Sequence, residues 1–110
     1  MNMTIDESAP LTASFTVISD HPALAGHFPG NPIVPGVLIL EHVLSVIEMH
    51  RGRDAARTHL RQVKFLSPLR PDQAASITVE PQGGRYTFSV SSNGALIATG
   101  MIEPGGQPAP

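Results

Sequence analysis

Residues 36–49, GVLILEHVLSVIEM, decide the fold. Val37, Leu38, Ile39, Leu40, Val43, Leu44, Val46 and Ile47 cover most of the circumference of a helix that the sequence predicts from about Gly36 to Met49. A helix apolar on nearly every side must be wrapped by other structure rather than leaned against one layer. The segments around it supply the wrapping. Upstream, Leu11 to Ile18 alternates, with Leu11, Ala13, Phe15 and Val17 on one face and Thr12, Ser14 and Thr16 on the other, as in a half-buried strand. Downstream, HLRQVKFL at 59–66 is rich in strand formers, and Pro68 and Pro71 prevent its continuation. ASITVEP, RYTFSVSS and ALIATGMIE then alternate as three more strands. Gly83-Gly84 and Asn93-Gly94 between them provide the positive-φ residues of tight hairpins.

This order predicts an α+β domain over residues 11–103, an antiparallel sheet curved around one central helix. Residues 1–10 read as a flexible lead-in and 104–110, PGGQPAP, as a disordered tail. A chain of 110 residues forms one domain with one modest core. Such a small sheet leaves an edge and part of the helix bare, and dimerisation through the sheet would cover both.

Composition excludes several classes. A formal net charge of −2 rules out the general basic field of a nucleic-acid binder. Basic residues are unevenly placed all the same: Arg51, Arg53, Arg57, Arg61, Lys64 and Arg70 fall within one twenty-residue stretch, either a solvated connector or a landing place for an acidic partner. With no cysteine, disulfides and thiolate metal sites are unavailable, in keeping with a cytoplasmic location. The polar, acidic start is no secretory signal, and the longest apolar run is far too short to span a bilayer.

Three residues could carry chemistry. Glu41, Ser45 and Glu48, with His42 beside them, interrupt the helix's apolar surface as one i, i+4, i+7 stripe. Facing solvent, the stripe needs no explanation. Facing a cavity, the Glu41 carboxyl would be protonated at neutral pH and able to act as a general acid. His27 lies in a loop stiffened by Pro29, Pro32 and Pro35, and it is either structural or a base suited to neutral pH. Gly36 follows Pro35 at the helix start, where backbone N–H groups have no internal partner. It either just opens the helix or lets a carbonyl oxygen approach that N–H closely. Together, base, acid and oxyanion donor suit proton abstraction beside a carbonyl with loss of a β-hydroxyl.

The stretch GHFPGNPIVPGVLILE, residues 26–41, closely resembles the signature G-H-F-P-G-x-P-x-x-P-G-V-L-x-x-E of the β-hydroxyacyl-acyl-carrier-protein dehydratases. Gly26, His27, Phe28, Pro29, Gly30, Pro32, Pro35, Gly36, Val37, Leu38 and Glu41 match in register, and VKFLSPLRPDQ extends the likeness, which covers roughly residues 20–103. The resemblance implies a hot-dog fold, dimeric through a continuous sheet, and reversible dehydration of a 3-hydroxyacyl thioester to its trans-2-enoyl form. It implies that His27 removes the C2 proton, that Glu41 of the other subunit protonates the departing hydroxyl, and that the Gly36 N–H holds the thioester carbonyl. The Ile33 carbonyl would orient the His27 ring, with Phe28 and Ser45 also at the site. Neither metal nor cofactor is implied.

The substrate's acyl carrier protein is acidic, which makes Arg51, Arg53 and Arg57 the expected contacts. Departures are Ser45, where the family usually has glutamine, together with His42, Asn31 and a short N-terminal segment. They mark a divergent member serving a specialised acyl or polyene route, as a homodimer or paired with a related dehydratase subunit. The alternatives are a thioesterase of the same fold and a non-catalytic acyl-binding subunit.

Overall fold

A computed structural model describes residues 9–24, 33–51 and 58–104. In chain order these form strand β1 (Leu11–Phe15), a 3-10 turn (Pro22–Leu24), helix α1 (Gly36–Arg51), and strands β2 (Thr58–Phe65), β3 (Ala75–Gln82), β4 (Arg85–Ser92) and β5 (Ala95–Pro104). The strands make one antiparallel sheet in the order β1-β3-β4-β5-β2. One helix against one curved antiparallel sheet is the arrangement expected from the sequence.

Both hairpin turns are as the glycines require. Gly83 and Gly84 have φ of 54° and 87°, and Asn93 and Gly94 have 51° and 77°. Two successive positive-φ residues match the right-handed twist of the strands they join. The core lies between sheet and helix. Ile39, Val43 and Ile47, spaced four apart, form the buried stripe of α1. They meet Ile77 and Val79 of β3, Tyr86, Phe88 and Val90 of β4, and Ala98 and Ile102 of β5 within one apolar cluster. Helix packing is one-sided in the single chain: Val37 is 62% exposed and Met49 85%.

Five elements differ from the sequence reading at a boundary, β3 and β5 by running one residue further, to Gln82 and Pro104. α1 runs on to Arg51 rather than stopping at Met49. β2 covers Thr58–Phe65, so Leu66 falls outside it. β1 ends at Phe15, not Ile18, because its partner β3 begins at Ala75, which pairs with Phe15. Val17 is nevertheless buried, as the alternation predicts, and its carbonyl accepts the Asp72 N–H at 2.7 Å instead of a ladder bond. The sheet has two irregularities. In β2 the register shifts between Leu60 and Gln62, leaving Arg61 as the extra residue; in β5, Ile97 is extra, between the Val90↔Ala98 and Ser91↔Leu96 pairs. Of the lead-in expected over 1–10 and the tail expected over 104–110, residues 1–8 and 105–110 lie outside the described residues, and Pro104 closes β5 rather than opening a tail.

Candidate functional site

Gly36 is the first residue of α1. Its first-turn N–H groups lack intrahelical acceptors and carry the positive end of the helix dipole. Beside it opens a cleft of about 350 Å³, lined among the described residues by Ile33, Val34, Gly36, Ile39 and residues 65–69. The walls are mostly hydrocarbon, and the volume suits an acyl group. The Phe65 ring packs against Gly36 so closely that an added Cβ would stand 2.6 Å from its Cζ. A side chain at position 36 would therefore have to push the Phe65 ring aside. Phe65 remains half exposed.

Of the residues singled out in the sequence, Ile33 and Gly36 share this cleft. Phe65 and Leu66 join them, while Met49 lies elsewhere, beside Leu11, Val46 and His50 in a groove between α1 and β1. Glu41 is not among the cleft's lining residues. The Glu41, Ser45 and Glu48 side chains form an exposed stripe on the face of α1 turned from the sheet. On a single chain, then, the Glu41 side chain is exposed and does not line the cleft. Ser45 does not reach toward it: the Ser45 hydroxyl donates to the Glu41 backbone carbonyl at 2.9 Å, the usual local bond of a mid-helix serine. His42 is half-buried and stacks on Phe15, ring centroids 4.2 Å apart and planes inclined by 12°. Arg51 closes α1. His27, Phe28, Arg53 and Arg57 lie outside the described residues.

Sequence reasoning passed over the segment that builds one wall of the cleft. Ser67, Pro68 and Leu69 were legible as a break after β2 and as part of the family likeness, not as a wall of the cleft, although Leu69 is almost fully buried and its carbonyl accepts the Val34 N–H at 2.8 Å. Two prolines flanking a leucine were the available signal: an extended path with one inward side chain.

No helix among the described residues is long and apolar enough to cross a membrane. Residues 3–101 match the model of the ApeI-like family, described as ApeI dehydratase. The chain is 34% identical over 86 residues to the 3-hydroxyacyl-(acyl-carrier-protein) dehydratase FabZ of Levilactobacillus brevis, covering 69% of this chain and 58% of that protein. To the FabZ of Chlamydia trachomatis serovar L2 it is 37% identical over 106 residues, covering 84% of this chain and 69% of the other. The chain thus spans only part, 58% and 69%, of the length of these two curated relatives.

Among solved structures, the dehydratase heterocomplex ApeI:P from Xenorhabdus doucetiae matches with a TM-score of 0.76 at 19% identity, over 87% of each chain. The fluoroacetyl-CoA thioesterase FlK matches with a TM-score of 0.59 at 15% identity, over 91% of this chain and 86% of that one. Both likenesses establish the hot-dog fold, and the second shows that the fold hosts more than one thioester chemistry. The signature at residues 26–41 and the FabZ relatives point to the dehydratases among these chemistries. The chain belongs to the ApeI-like dehydratase family.

Proposed function

We propose that this chain is a 3-hydroxyacyl-thioester dehydratase that reversibly eliminates water to give the trans-2-enoyl thioester, with the acyl group presented by an acyl carrier protein. The observation that carries this reading is Gly36. It opens α1 at the edge of an apolar cleft that it shares with Ile33, and it stands in register within the dehydratase signature. Gly36 has no side chain of its own to block its N–H, which donates to the thioester carbonyl and stabilises the enolate charge that develops on that oxygen. His27 takes the C2 proton. Glu41 gives a proton to the C3 hydroxyl, the C–O bond breaks, and the C2–H electron pair becomes the C2=C3 double bond.

Glu41 does not line its own chain's cleft, which supports an acid supplied by a second chain. The free edge of β2 and the exposed apolar residues Val37, Leu60, Phe65 and Leu66 support a pairing at that side of the sheet, with an identical chain or a related dehydratase subunit. Arg51, Arg53 and Arg57 follow α1 in sequence and are the proposed contacts for the acidic carrier protein.

A second reading, a non-catalytic acyl-binding subunit of a mixed dehydratase, is favoured by one observation: the Ser45 hydroxyl is spent on the helix backbone. Hydration of a crotonyl thioester, on carrier protein and on coenzyme A, separates the readings. Dehydratase function predicts turnover that falls about a hundredfold or more in His27→Ala and in Glu41→Gln. Thioester cleavage without water addition would establish the thioesterase, and acyl binding without either reaction the silent subunit.

A further inference from the structure

β2 stands last in the sheet order, so one side of its backbone has no partner strand among the described residues. The strand's two faces differ. On the core side are Leu60, Val63 and Phe65, opposite Ile102, Gly100 and Ala98 of β5, and Leu60 and Phe65 are about half exposed. On the outer side are Gln62 and Lys64, opposite Met101 and Thr99, and both are exposed. His59, opposite Glu103, and the extra residue Arg61 complete the strand's charged and titratable groups. In a chain of formal net charge −2, THLRQVKF thus holds three basic residues and no carboxylate. Glu103, the one carboxylate of β5, is already shared between Arg61 Nε at 3.0 Å and Arg85 Nε at 3.9 Å. Lys64 has no ion pair among the described residues.

This distribution bears on which chain the edge takes. With core sides together, a two-fold pairing that opposes three residues of the regular stretch 62–65 centres on Val63 or on Lys64. The first sets Lys64 against Gln62, and the second sets two lysines against each other. No register of β2 on itself offers a carboxylate to either lysine, because the strand has none. Like charges directly opposite weaken a strand pair, and opposite charges strengthen it. The apolar core side accepts any apolar continuation, so the outer row decides between partners. Lysine on an edge also serves to keep strands apart. An edge kept for solvent gains nothing, however, from Leu60, Phe65 and Leu66, each about half exposed, along the same margin.

We infer that the β2 edge is a heterotypic interface, selecting a chain of the same fold whose own edge strand carries aspartate or glutamate over a second copy of this chain. The inference rests on the reading that a second chain completes the site at this edge. Such a partner shares the fold because it must both continue the apolar core side and bring a helix carboxyl group to the cleft.

The probe for it is this chain with Gln62→Glu and Lys64→Glu, an acidic edge over an unchanged core, and Lys64→Gln supplies a neutral edge. Sedimentation measures the self-association of each chain, and of labelled wild type with the acidic copy, between about 0.02 and 0.3 M sodium chloride. Over that range the screening length falls from roughly 20 Å to below 10 Å. At low salt the mixed pair is expected to be about tenfold tighter than either homodimer. Wild-type self-association tightens as salt rises, while Lys64→Gln pairs more tightly than wild type and responds less to salt. Hydration of a crotonyl thioester is followed in the same samples. Random mixing, or a wild-type homodimer indifferent to salt and no weaker than Lys64→Gln, overturns the inference, and the shared site still stands if hydration tracks the dimer. Should the acidic copy not fold, the comparison with Lys64→Gln decides alone. Hydration by a chain that stays single in every mixture overturns the shared site, and the inference with it.

Discussion

Two glycines make opposite demands on their neighbours. A methyl group at Gly36 meets the far end of the half-exposed Phe65 ring, which has room to swing. Gly36→Ala is expected to lower stability by about 1 kcal/mol or less, while the displaced ring enters the cleft and reduces kcat/KM. At Gly100 the same methyl meets the backbone carbonyl of Gln62 as well as the buried Phe88 ring, its Cε2 at 2.6 Å. A neighbouring strand's backbone has nowhere to go, so Gly100→Ala should cost about 3 kcal/mol. Urea denaturation compares the two, and equal costs would contradict this account. Ser45→Gln tests another residue. A longer amide reaches beyond the Glu41 backbone carbonyl toward its carboxyl group and should raise the hydration rate about two- to tenfold, the worth of one hydrogen bond. Gly36 was legible in the sequence as a backbone donor. Its contact with Phe65 was not, because the two residues come from elements far apart in the chain.

The elements were read well wherever the pattern was local. Both hairpins follow from Gly83-Gly84 and Asn93-Gly94, and α1 follows from its apolar run. Within α1 the sequence could not say which side the sheet covers, since leucine, isoleucine and valine lie all round. Burial singles out Ile39, Val43 and Ile47. Ile47→Ala should therefore cost about 2–5 kcal/mol, against no more than about 0.5 for Glu48→Ala on the exposed stripe, measured as shifts in the urea midpoint at constant slope. β2 was harder to read. Strict alternation would put Leu60 with Gln62 and Lys64, opposite Val63 and Phe65. The extra Arg61 returns Leu60 to the Val63 face, where it pairs with Ile102. Such an irregularity leaves no mark in a single sequence. Arg61 also reaches Glu103, Nε to Oε2 at 3.0 Å, a surface pair of modest worth.

For the whole molecule, the central question is what covers the outer side of α1 and the β2 edge. The sequence already implied an incomplete wrapping, since one small sheet cannot enclose a helix that is apolar all round. A protein of 11.6 kDa per chain should run in light scattering at twice that mass or a multiple of it. Leu60→Glu combined with Leu66→Glu, two charges set into the exposed apolar margin, should return it to a single chain and abolish hydration while the sheet's circular dichroism persists. A monomeric wild type that hydrates crotonyl thioesters would refute the shared site. The site itself was legible as a set of residue types along one loop and one helix, and the family likeness implied that Glu41 comes from a second chain; the single chain adds that Glu41 is not among the residues lining its own cleft. Finally, the surplus residue of β2 gives this chain a length reserve. With Gln62 opposite Met101 and Leu60 opposite Ile102, removing Arg61 would leave every other partner in place and merely straighten the strand. Losing Lys64 instead would turn one end of the strand inside out. Natural or engineered shortening of this protein should thus be survivable at position 61 and ruinous three residues later.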